Sequence, residues 1–206
     1  DSDSTLQAEA AEWRRELGIP AGAPTIVFAG KLSRKKAPGL LLEAFGRLDA
    51  PEAHLVMAGS GPLEDELRRR ASENVHLLGF QNQSRMPVVY RLGDVFVLPS
   101  RGPGETWGLA INEAMACGRA VVASTKVGCA PDFIADGENG FVFKSEDAQA
   151  LAKRLQTLVD DPTLRARMGE ASARRIEDWS LDVAARRLVH AVQEHTEAVT
   201  EPLSTE

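Results

Sequence analysis

Two carboxylates that could bind one ligand, Glu105 and Glu113, lie in the segment GETWGLAINEAMACG. The loop that carries Glu105 is glycine-rich, so its backbone can approach a ligand closely. We predict a helix from about Trp107, whose first N–H groups and dipole favour an anion. Glu113 shares a helix face with Leu109, and helical side chains lean toward the N-terminus, so Glu113 should reach back toward that anion. Most exposed glutamates are merely solvated, but this setting suits a ligand that carries both phosphate and hydroxyl groups.

The elements around this segment predict a parallel sheet. One apolar stretch precedes it at 94–100 and another follows at 119–125, which is the strand–helix–strand unit of parallel sheets. Over the whole chain, six apolar segments alternate with helical patterns and predict an α/β fold with a doubly wound, parallel six-stranded sheet. The predicted strands cover residues 25–30, 53–59, 74–80, 94–99, 120–124 and 140–143.

Helical patterns fill the intervals between these strands and follow the last of them. Ser84 is expected to cap the short helix before the fourth strand. The predicted helices cover residues 5–17, 38–48, 63–71, 85–93, 107–117, 132–136, 146–159, 162–176 and a segment after Ser180. We divide the chain into an N-terminal helix and linker at 1–23, a folded domain at 24–180, and a C-terminal helix with a frayed tail at 181–206.

Ligands of such sheets bind at the carboxyl ends of the strands, and the least ordinary residues of this sequence fall there. Four cations follow the first strand within six residues, although the protein is acidic overall. Lys31 and Lys36 are best explained by an anionic ligand, whereas Arg34 and Lys35 fit either that ligand or a solvated surface. The other strand ends carry Gly59-Ser60-Gly61-Pro62, Gly79-Phe80-Gln81 and Val127-Gly128.

Composition narrows the class of protein. A length of 206 residues suits one domain or two small ones, and a hydrophobic share of 43% suits a globular core. The net charge of −6 argues against nucleic-acid binding. The sequence has neither an apolar run of membrane-spanning length nor a signal-peptide pattern. Cys117 and Cys129 lack metal-ligand spacing and indicate the reduced thiols of a cytoplasmic protein. The histidines are scattered, and we interpret them as structural or surface residues: His54, His76, His190 and His195.

Three motifs together resemble the C-terminal, donor-binding half of retaining GT-B glycosyltransferases of family four, the glycosyl transferases group 1. The segment 30–37, GKLSRKKA, is similar to the family's Gly-Arg-Leu-x-x-x-Lys-Gly, and 59–62, GSGP, matches its Gly-x-Gly-Pro. Glu105 and Glu113 match its Glu-x7-Glu signature, with the typical continuation Glu-Ala-Met-Ala-Cys-Gly. The resemblance covers about residues 24–180 and implies a Rossmann-like nucleotide-sugar-binding domain, one half of a GT-B fold.

By this resemblance, Lys31 and Lys36 hold the donor diphosphate, and the backbone at 106–109 completes the diphosphate site. Glu113 binds the ribose hydroxyls, and Glu105 faces the transferred sugar, so that Glu105, Lys36 and Lys31 are the implied catalytic residues. The nucleobase is expected against the backbone at 79–81, where side chains reveal little about its identity. The implied donor site comprises Gly30, Lys31, Lys36, Gly59, Gly61, Gly79, Phe80, Gln81, Glu105, Thr106, Trp107, Gly108, Leu109 and Glu113.

The sequence departs from the family pattern at positions that bear on the choice of donor. Lys31 replaces the usual arginine and gives up a bidentate fork for a point charge. The other departures are Ala37 for a glycine, Thr106-Trp107 for Pro-Phe, Gly128-Cys129 for Gly-Gly, and Asp132 for a glutamate.

The resemblance implies transfer of a sugar from a nucleoside diphosphate sugar to an acceptor hydroxyl, with the anomeric configuration retained. No metal or other cofactor is expected, because two nearby lysines can do the work of a divalent ion. The implied partners are the nucleotide-sugar donor, the N-terminal GT-B half of the same protein and an acceptor that could lie at the membrane surface. We expect a cytoplasmic location, where the full-length protein could act at the inner face of the membrane. The isolated half is expected to be inactive.

Two alternatives stay open on the sequence alone. A stand-alone nucleotide-sugar-binding module would share the donor site without transferase activity, and a hydrolysing sugar-nucleotide epimerase has a related architecture. A dinucleotide-dependent dehydrogenase fits less well, because the turn after the first strand is lysine-rich instead of Gly-x-Gly-x-x-Gly. The chain begins at Asp1 and not at methionine. A native gene with about 180 more residues upstream, the size of a typical domain, would favour the transferase.

Overall fold

Six parallel strands form one sheet in the order β3-β2-β1-β4-β5-β6 in the computed structural model of the chain. The structure describes residues 2–200. The strands are β1 (Thr25–Ala29), β2 (His54–Ala58), β3 (Val75–Gly79), β4 (Val95–Leu98), β5 (Ala120–Ser124) and β6 (Gly140–Phe143). The chain runs outward from β1 to β3 and then returns to the other side of β1, so the predicted doubly wound parallel sheet is confirmed.

Helices connect the strands and cover the two faces of the sheet. They are α1 (Ser2–Glu16), α2 (Pro38–Phe45), α3 (Glu64–Arg70), α4 (Met86–Arg91), α5 (Leu109–Ala116), α6 (Ala130–Phe133), α7 (Ala148–Asp160), α8 (Pro162–Glu177) and α9 (Leu181–Thr200). A 3-10 helix at Gln83–Arg85 leads directly into α4. Within the described residues, no helix is both long and apolar enough to cross a membrane.

The strands are buried because both faces of the sheet are covered, which explains their continuous apolar runs. Alternate residues of β1 face opposite layers. Ile26 and Phe28 pack in one core with side chains of α2 and α7, whereas Val27 packs in the other core with side chains of α4 and α5. Ala10 of α1 is buried in that second core, so α1 is packed against the sheet domain and not detached from it.

Arginines hold the helix ends at the amino-terminal end of the sheet. Nη1 of Arg14 donates a hydrogen bond to the carbonyl of Leu92, and Nη2 donates to that of Ala23, both at 2.8 Å. Nε of Arg119 donates to the Cys117 carbonyl at 2.7 Å. Leu92 and Cys117 end α4 and α5, where carbonyl groups lack helical partners and positive charge is favourable. Arg14 and Arg119 also border a small cleft of about 240 Å³, and these structural contacts account for their presence there.

The pairing of β2 with β3 brings two of the scattered histidines together. Nδ1 of His54 lies 3.0 Å from Nε2 of His76, and the two rings are stacked with centroids 5.3 Å apart. One of these nitrogens must accept the hydrogen bond, so at least one ring is neutral in this arrangement. Burial lowers the pKa of both imidazoles, and the charge of Arg14 lowers that of His54 further.

Four predicted helix starts were wrong by two or three residues. α1 begins at Ser2 and not at residue 5, and α7 begins at Ala148 and not at residue 146. α5 begins at Leu109 and not near Trp107, because Gly108 takes a left-handed conformation at φ 100° and forms the N-cap. α6 covers Ala130–Phe133 instead of 132–136, since Pro131 suits a first helical turn.

The predicted cap at Ser84 was also wrong. Asn82 caps the 3-10 helix, where its side-chain oxygen accepts from the Arg85 N–H at 3.1 Å, and the Ser84 hydroxyl only donates to that oxygen. The predicted frayed tail at 201–206 lies outside the described residues, and the division of the chain at 23 and 180 stays a prediction.

Candidate functional site

A cleft of about 800 Å³ opens where β1, β2, β3 and β4 end, beside the point at which the strand order reverses. Every residue of the predicted donor site lines this cleft except Gly79. Gly79 instead turns the chain out of β3 at φ 69°, and its carbonyl accepts a hydrogen bond from Gly59 N at 2.8 Å. The cleft is also lined by residues outside the predicted site: Ala29, Lys35, Ala58, Ser60, Gln83, Met86, Tyr90, Gly104 and Ala110.

Glycines let the loops after β1 and β2 pack backbone against backbone. A Cβ atom on Gly59 would lie 1.9 Å from the carbonyl oxygen of Gly30, and one on Gly61 would lie 2.5 Å from that of Leu32. The amide of Leu32 donates to the Ser60 carbonyl at 2.9 Å across the same contact. The Gly-x-Gly segment thus fixes the position of the basic loop at the cleft.

The basic loop at 31–37 ends in a left-handed residue. Ala37 has a φ of 51°, which explains why a glycine is usual at this position, and its N–H donates to the Ser33 carbonyl at 3.1 Å. The turn closes the loop directly before α2 and holds its lysines beside the cleft.

Three of the four cations of this loop belong to the cleft. Lys31, Lys35 and Lys36 line it, whereas Arg34 does not, so the alternative of a solvated surface holds for Arg34 alone. Nζ of Lys35 donates to the carbonyl of Gly104 and thereby ties the loop after β1 to the loop after β4.

Lys36 and Glu105 form an ion pair inside the cleft. Nζ of Lys36 lies 2.5 Å from Oε2 of Glu105, and the Ser100 hydroxyl donates to the same oxygen at 2.8 Å. The Glu105 side chain is 7% exposed and that of Lys36 is 22% exposed. Because an unpaired buried carboxylate is costly, the lysine stabilises the acid in the absence of a ligand.

The loop that contains Glu105 is held against the turn after β5. Gly128 N donates to the Glu105 carbonyl at 3.0 Å, and Cys129 N donates to that of Trp107 at 2.8 Å. A Cβ atom on Gly128 would lie 1.9 Å from the Thr106 carbonyl oxygen, so this contact requires glycine. The loop backbone is therefore fixed before any ligand binds.

Gly108 places the start of α5 at the cleft. A Cβ atom on this residue would lie 2.6 Å from Cγ1 of Val127, and its φ of 100° also favours glycine. Leu109 and Ala110, the first residues of α5, line the cleft. The first N–H groups of a helix lack helical partners and carry the positive end of its dipole, so an anion can bind here.

Glu113 lies one turn further along α5, and each of its carboxylate oxygens has a protein partner. The Tyr90 hydroxyl donates to Oε2 at 2.5 Å, and Nε2 of Gln83 donates to Oε1 at 3.0 Å. Neither partner was predicted from the sequence. Tyr90 is buried in an apolar helix, and the one available signal was that a buried tyrosine usually needs a partner for its hydroxyl.

Large apolar side chains stand exposed at the mouth of the cleft. Phe80 is 74% exposed, Leu109 61% and Trp107 41%, and all three line the cleft. Trp107 meets the ring of Phe133 edge to face, with centroids 5.4 Å apart, which holds it in place. Clustered exposed apolar groups are typical of a surface that binds a ligand or another domain.

Neither a cluster of metal-ligating side chains nor a cysteine of lowered pKa is present among the described residues. Within residues 2–200, no three or more His, Cys, Asp or Glu side chains are grouped so that they could hold a metal ion. Cys117 and Cys129 are free thiols, and burial raises the pKa of both, that of Cys129 to about 11. Thiols with raised pKa values are poor nucleophiles at neutral pH.

The chain is similar to known proteins over most of its length. The family model described as Glycosyl transferases group 1 matches residues 9–175. The chain is 34% identical over 191 residues to a GDP-mannose-dependent monoacylated alpha-(1-6)-phosphatidylinositol monomannoside mannosyltransferase of Corynebacterium glutamicum, which covers 87% of this chain and 50% of that protein. It is 36% identical over 188 residues to a D-inositol 3-phosphate glycosyltransferase of Streptomyces avermitilis, which covers 84% of this chain and 40% of that one. The chain thus spans half or less of the length of these relatives.

Solved structures share the fold. The crystal structure of Anabaena HepE in complex with UDP superposes with a TM-score of 0.78 at 23% identity, over 92% of this chain and 55% of that one. The C-terminal domain of a glycosyl transferase group 1 family protein from Francisella tularensis gives a TM-score of 0.70 at 26% identity. That match covers 81% of this chain and 90% of the Francisella domain.

Proposed function

Because the chain belongs to the glycosyl transferases group 1 family, we propose that it is the donor-binding half of a retaining glycosyltransferase. It would bind a nucleoside diphosphate sugar whose sugar passes to an acceptor hydroxyl. The observation that carries this proposal is the cleft, which combines three lysines, the start of α5 and the carboxylate of Glu113. The GDP-mannose dependence of the Corynebacterium relative supports a nucleotide-sugar donor.

In this proposal the lysines and the start of α5 bind the diphosphate. Negative charge grows on the diphosphate as the bond to the sugar breaks, and preorganised positive groups at that point lower the barrier. Lys31 and Lys36 are the catalytic cations, and Lys35 adds a third positive charge to the same cleft. Since these groups supply the charge of a divalent cation, we propose that donor binding needs no metal.

The two glutamates have different tasks in this proposal. Glu113 accepts hydrogen bonds from the ribose hydroxyls of the nucleotide. Glu105 lies in the loop before α5 and faces the transferred sugar, beside Lys36. Phe80 and Gln81 line the cleft at the end of β3 and offer a surface to the nucleobase.

A second domain is required for transfer. The relatives are at least twice as long as the matched region, so we propose that an N-terminal half closes the cleft and supplies the acceptor site. The names of these relatives make inositol-containing acceptors, including one in a membrane lipid, the first class to test. A cytoplasmic location, and action of the full-length protein at the inner face of the membrane, stay predictions.

Thermal unfolding of the chain with UDP, GDP and ADP, each also as its glucose or mannose derivative and with EDTA present, tests donor binding. A ligand at 100 times its Kd stabilises by about 2.7 kcal/mol, which raises Tm by roughly 5–11 °C in a domain of this size. The absence of any shift with all of them would overturn the proposal. A complete protein that binds a nucleotide sugar but transfers none of it would support the stand-alone binding module.

A further inference from the structure

Tyr90 is the single tyrosine of the chain and connects the apolar core to the donor cleft. It is 2% exposed, and its ring meets that of Phe96 edge to face with centroids 5.3 Å apart. Tyr90 also lines the cleft, and its hydroxyl donates to Oε2 of Glu113 at 2.5 Å. A side chain fixed in the core therefore touches the one carboxylate of α5 that faces the cleft.

The phenol of Tyr90 can act only as a donor toward Glu113. Burial raises its pKa, and the hydrogen bond and the negative charge of Glu113 raise it further. The hydroxyl thus stays protonated at neutral pH and remains the donor in this hydrogen bond. The direction of this hydrogen bond is fixed as well as its length.

The second oxygen of Glu113 is fixed from another element. Nε2 of Gln83, in the 3-10 helix before α4, donates to Oε1 at 3.0 Å. Each oxygen of a carboxylate accepts about two hydrogen bonds. With one donor on each oxygen, Glu113 keeps one acceptor position on each. The plane of the carboxylate is set by Tyr90 of α4 and by Gln83 of the 3-10 helix before it.

We propose that Tyr90 is a positioning residue of the donor site, which orients the Glu113 carboxylate to receive the two neighbouring hydroxyls of a ribose. This inference rests on the proposed function, because it needs a nucleotide in the cleft. Two acceptor positions on one fixed plane match two adjacent hydroxyl donors, whereas a freely rotating glutamate would have to be ordered on binding.

Tyr90→Phe removes the hydroxyl and keeps the ring in the core. Calorimetry with GDP and UDP, and with their 2′,3′-dideoxy forms, separates positioning from a purely structural role. The wild-type chain should bind the normal nucleotide at least 10-fold more tightly than the dideoxy form. We expect Tyr90→Phe to lose about 10-fold on the normal nucleotide and less than 3-fold on the dideoxy form, so that the discrimination between them shrinks.

Two further variants control for stability. Phe96→Leu disturbs the packing of the same ring without touching Glu113, and should lower the unfolding midpoint while leaving the discrimination unchanged. Gln83→Ala removes the donor to the other oxygen from an exposed position, and should reduce discrimination even if Tyr90→Phe folds poorly.

The outcomes separate this inference from the proposed function. If the wild-type chain binds none of the nucleotides, the proposed function fails. If the wild type binds and discriminates but Tyr90→Phe and Gln83→Ala discriminate equally well, the nucleotide site stands and the positioning role is overturned. Equal losses on both forms of the nucleotide would also overturn it, because they would indicate a general disturbance of the cleft.

Discussion

Lys36→Met should destabilise the chain, because it leaves the carboxylate of Glu105 buried without a counter-ion. Removing one partner of a buried ion pair costs about 3–5 kcal/mol. The lysine is 22% exposed, so water can partly replace it, and we expect the low end, about 3 kcal/mol. In a domain of this size that loss lowers Tm by roughly 6–12 °C.

The reverse substitution should be milder. Glu105→Gln keeps the size of the side chain and a partner for the Ser100 hydroxyl, and the freed ammonium of Lys36 can turn toward water. We expect a cost of about 1 kcal/mol, typical of one lost hydrogen bond. The double variant should then be more stable than Lys36→Met alone by about 2 kcal/mol, since no buried charge remains unpaired.

Urea unfolding of the two single variants and the double variant measures this coupling. Lys35→Met is the matched control, because Lys35 lies in the same loop but binds only a carbonyl from an exposed position. We expect it to cost less than about 1 kcal/mol. Effects of Lys36→Met and Glu105→Gln that add within about 0.5 kcal/mol would refute the reasoning, since independent sites behave in this way.

Four other outcomes can be checked. Glu105→Gln should tighten nucleoside diphosphate binding several-fold in calorimetry, because the acid no longer competes for Lys36. Glu146→Gln, which removes an exposed carboxylate that pairs with Arg101 and does not line the cleft, should not. Glu113→Ala should weaken nucleotide binding about 10- to 100-fold, as two charge-assisted hydrogen bonds are lost. Binding should survive EDTA. The pKa values of His54 and His76 are lowered in the folded chain, so the unfolded chain binds more protons. The free energy of unfolding should therefore fall as the pH drops below about 6.5 and then level off. In urea unfolding, a variant with glutamine at both positions should show a flatter dependence of this free energy on pH.

The sheet was predictable because each strand is a short apolar run between turn residues, and a chain that alternates strands with helices has few other options. Helix starts were less predictable. The cap of α5 at position 108 has to be a glycine, because Val127 in the turn after β5 leaves no room for a Cβ atom. The pattern of residues 104–118 does not record that contact, so the helix was predicted to begin two residues too early.

The lining of the cleft was predicted better than its internal contacts. Residues that end parallel strands meet at one edge of the sheet, so the strand pattern alone places them together. The partners within the cleft lie far apart in sequence: Lys36 pairs with Glu105, and Tyr90 with Glu113. Tyr90 in particular sits in an apolar helical pattern, where hydrophobic periodicity predicts a core residue and does not show where its hydroxyl points.

The same long-range pairing gives the two glutamates of one motif different surroundings, which fits the different roles proposed for them. Glu105 is neutralised by the charge of Lys36, so a diphosphate that binds this lysine has to divide an existing ion pair. Glu113 is instead held by two neutral donors, Tyr90 and Gln83, which restrict its rotation without adding a positive charge. A fixed, uncompensated carboxylate suits neutral hydroxyl groups, and an acid paired with a cation suits a position beside phosphate. In the proposed function, each end of a nucleoside diphosphate would thus meet a group that is already in position before the ligand binds.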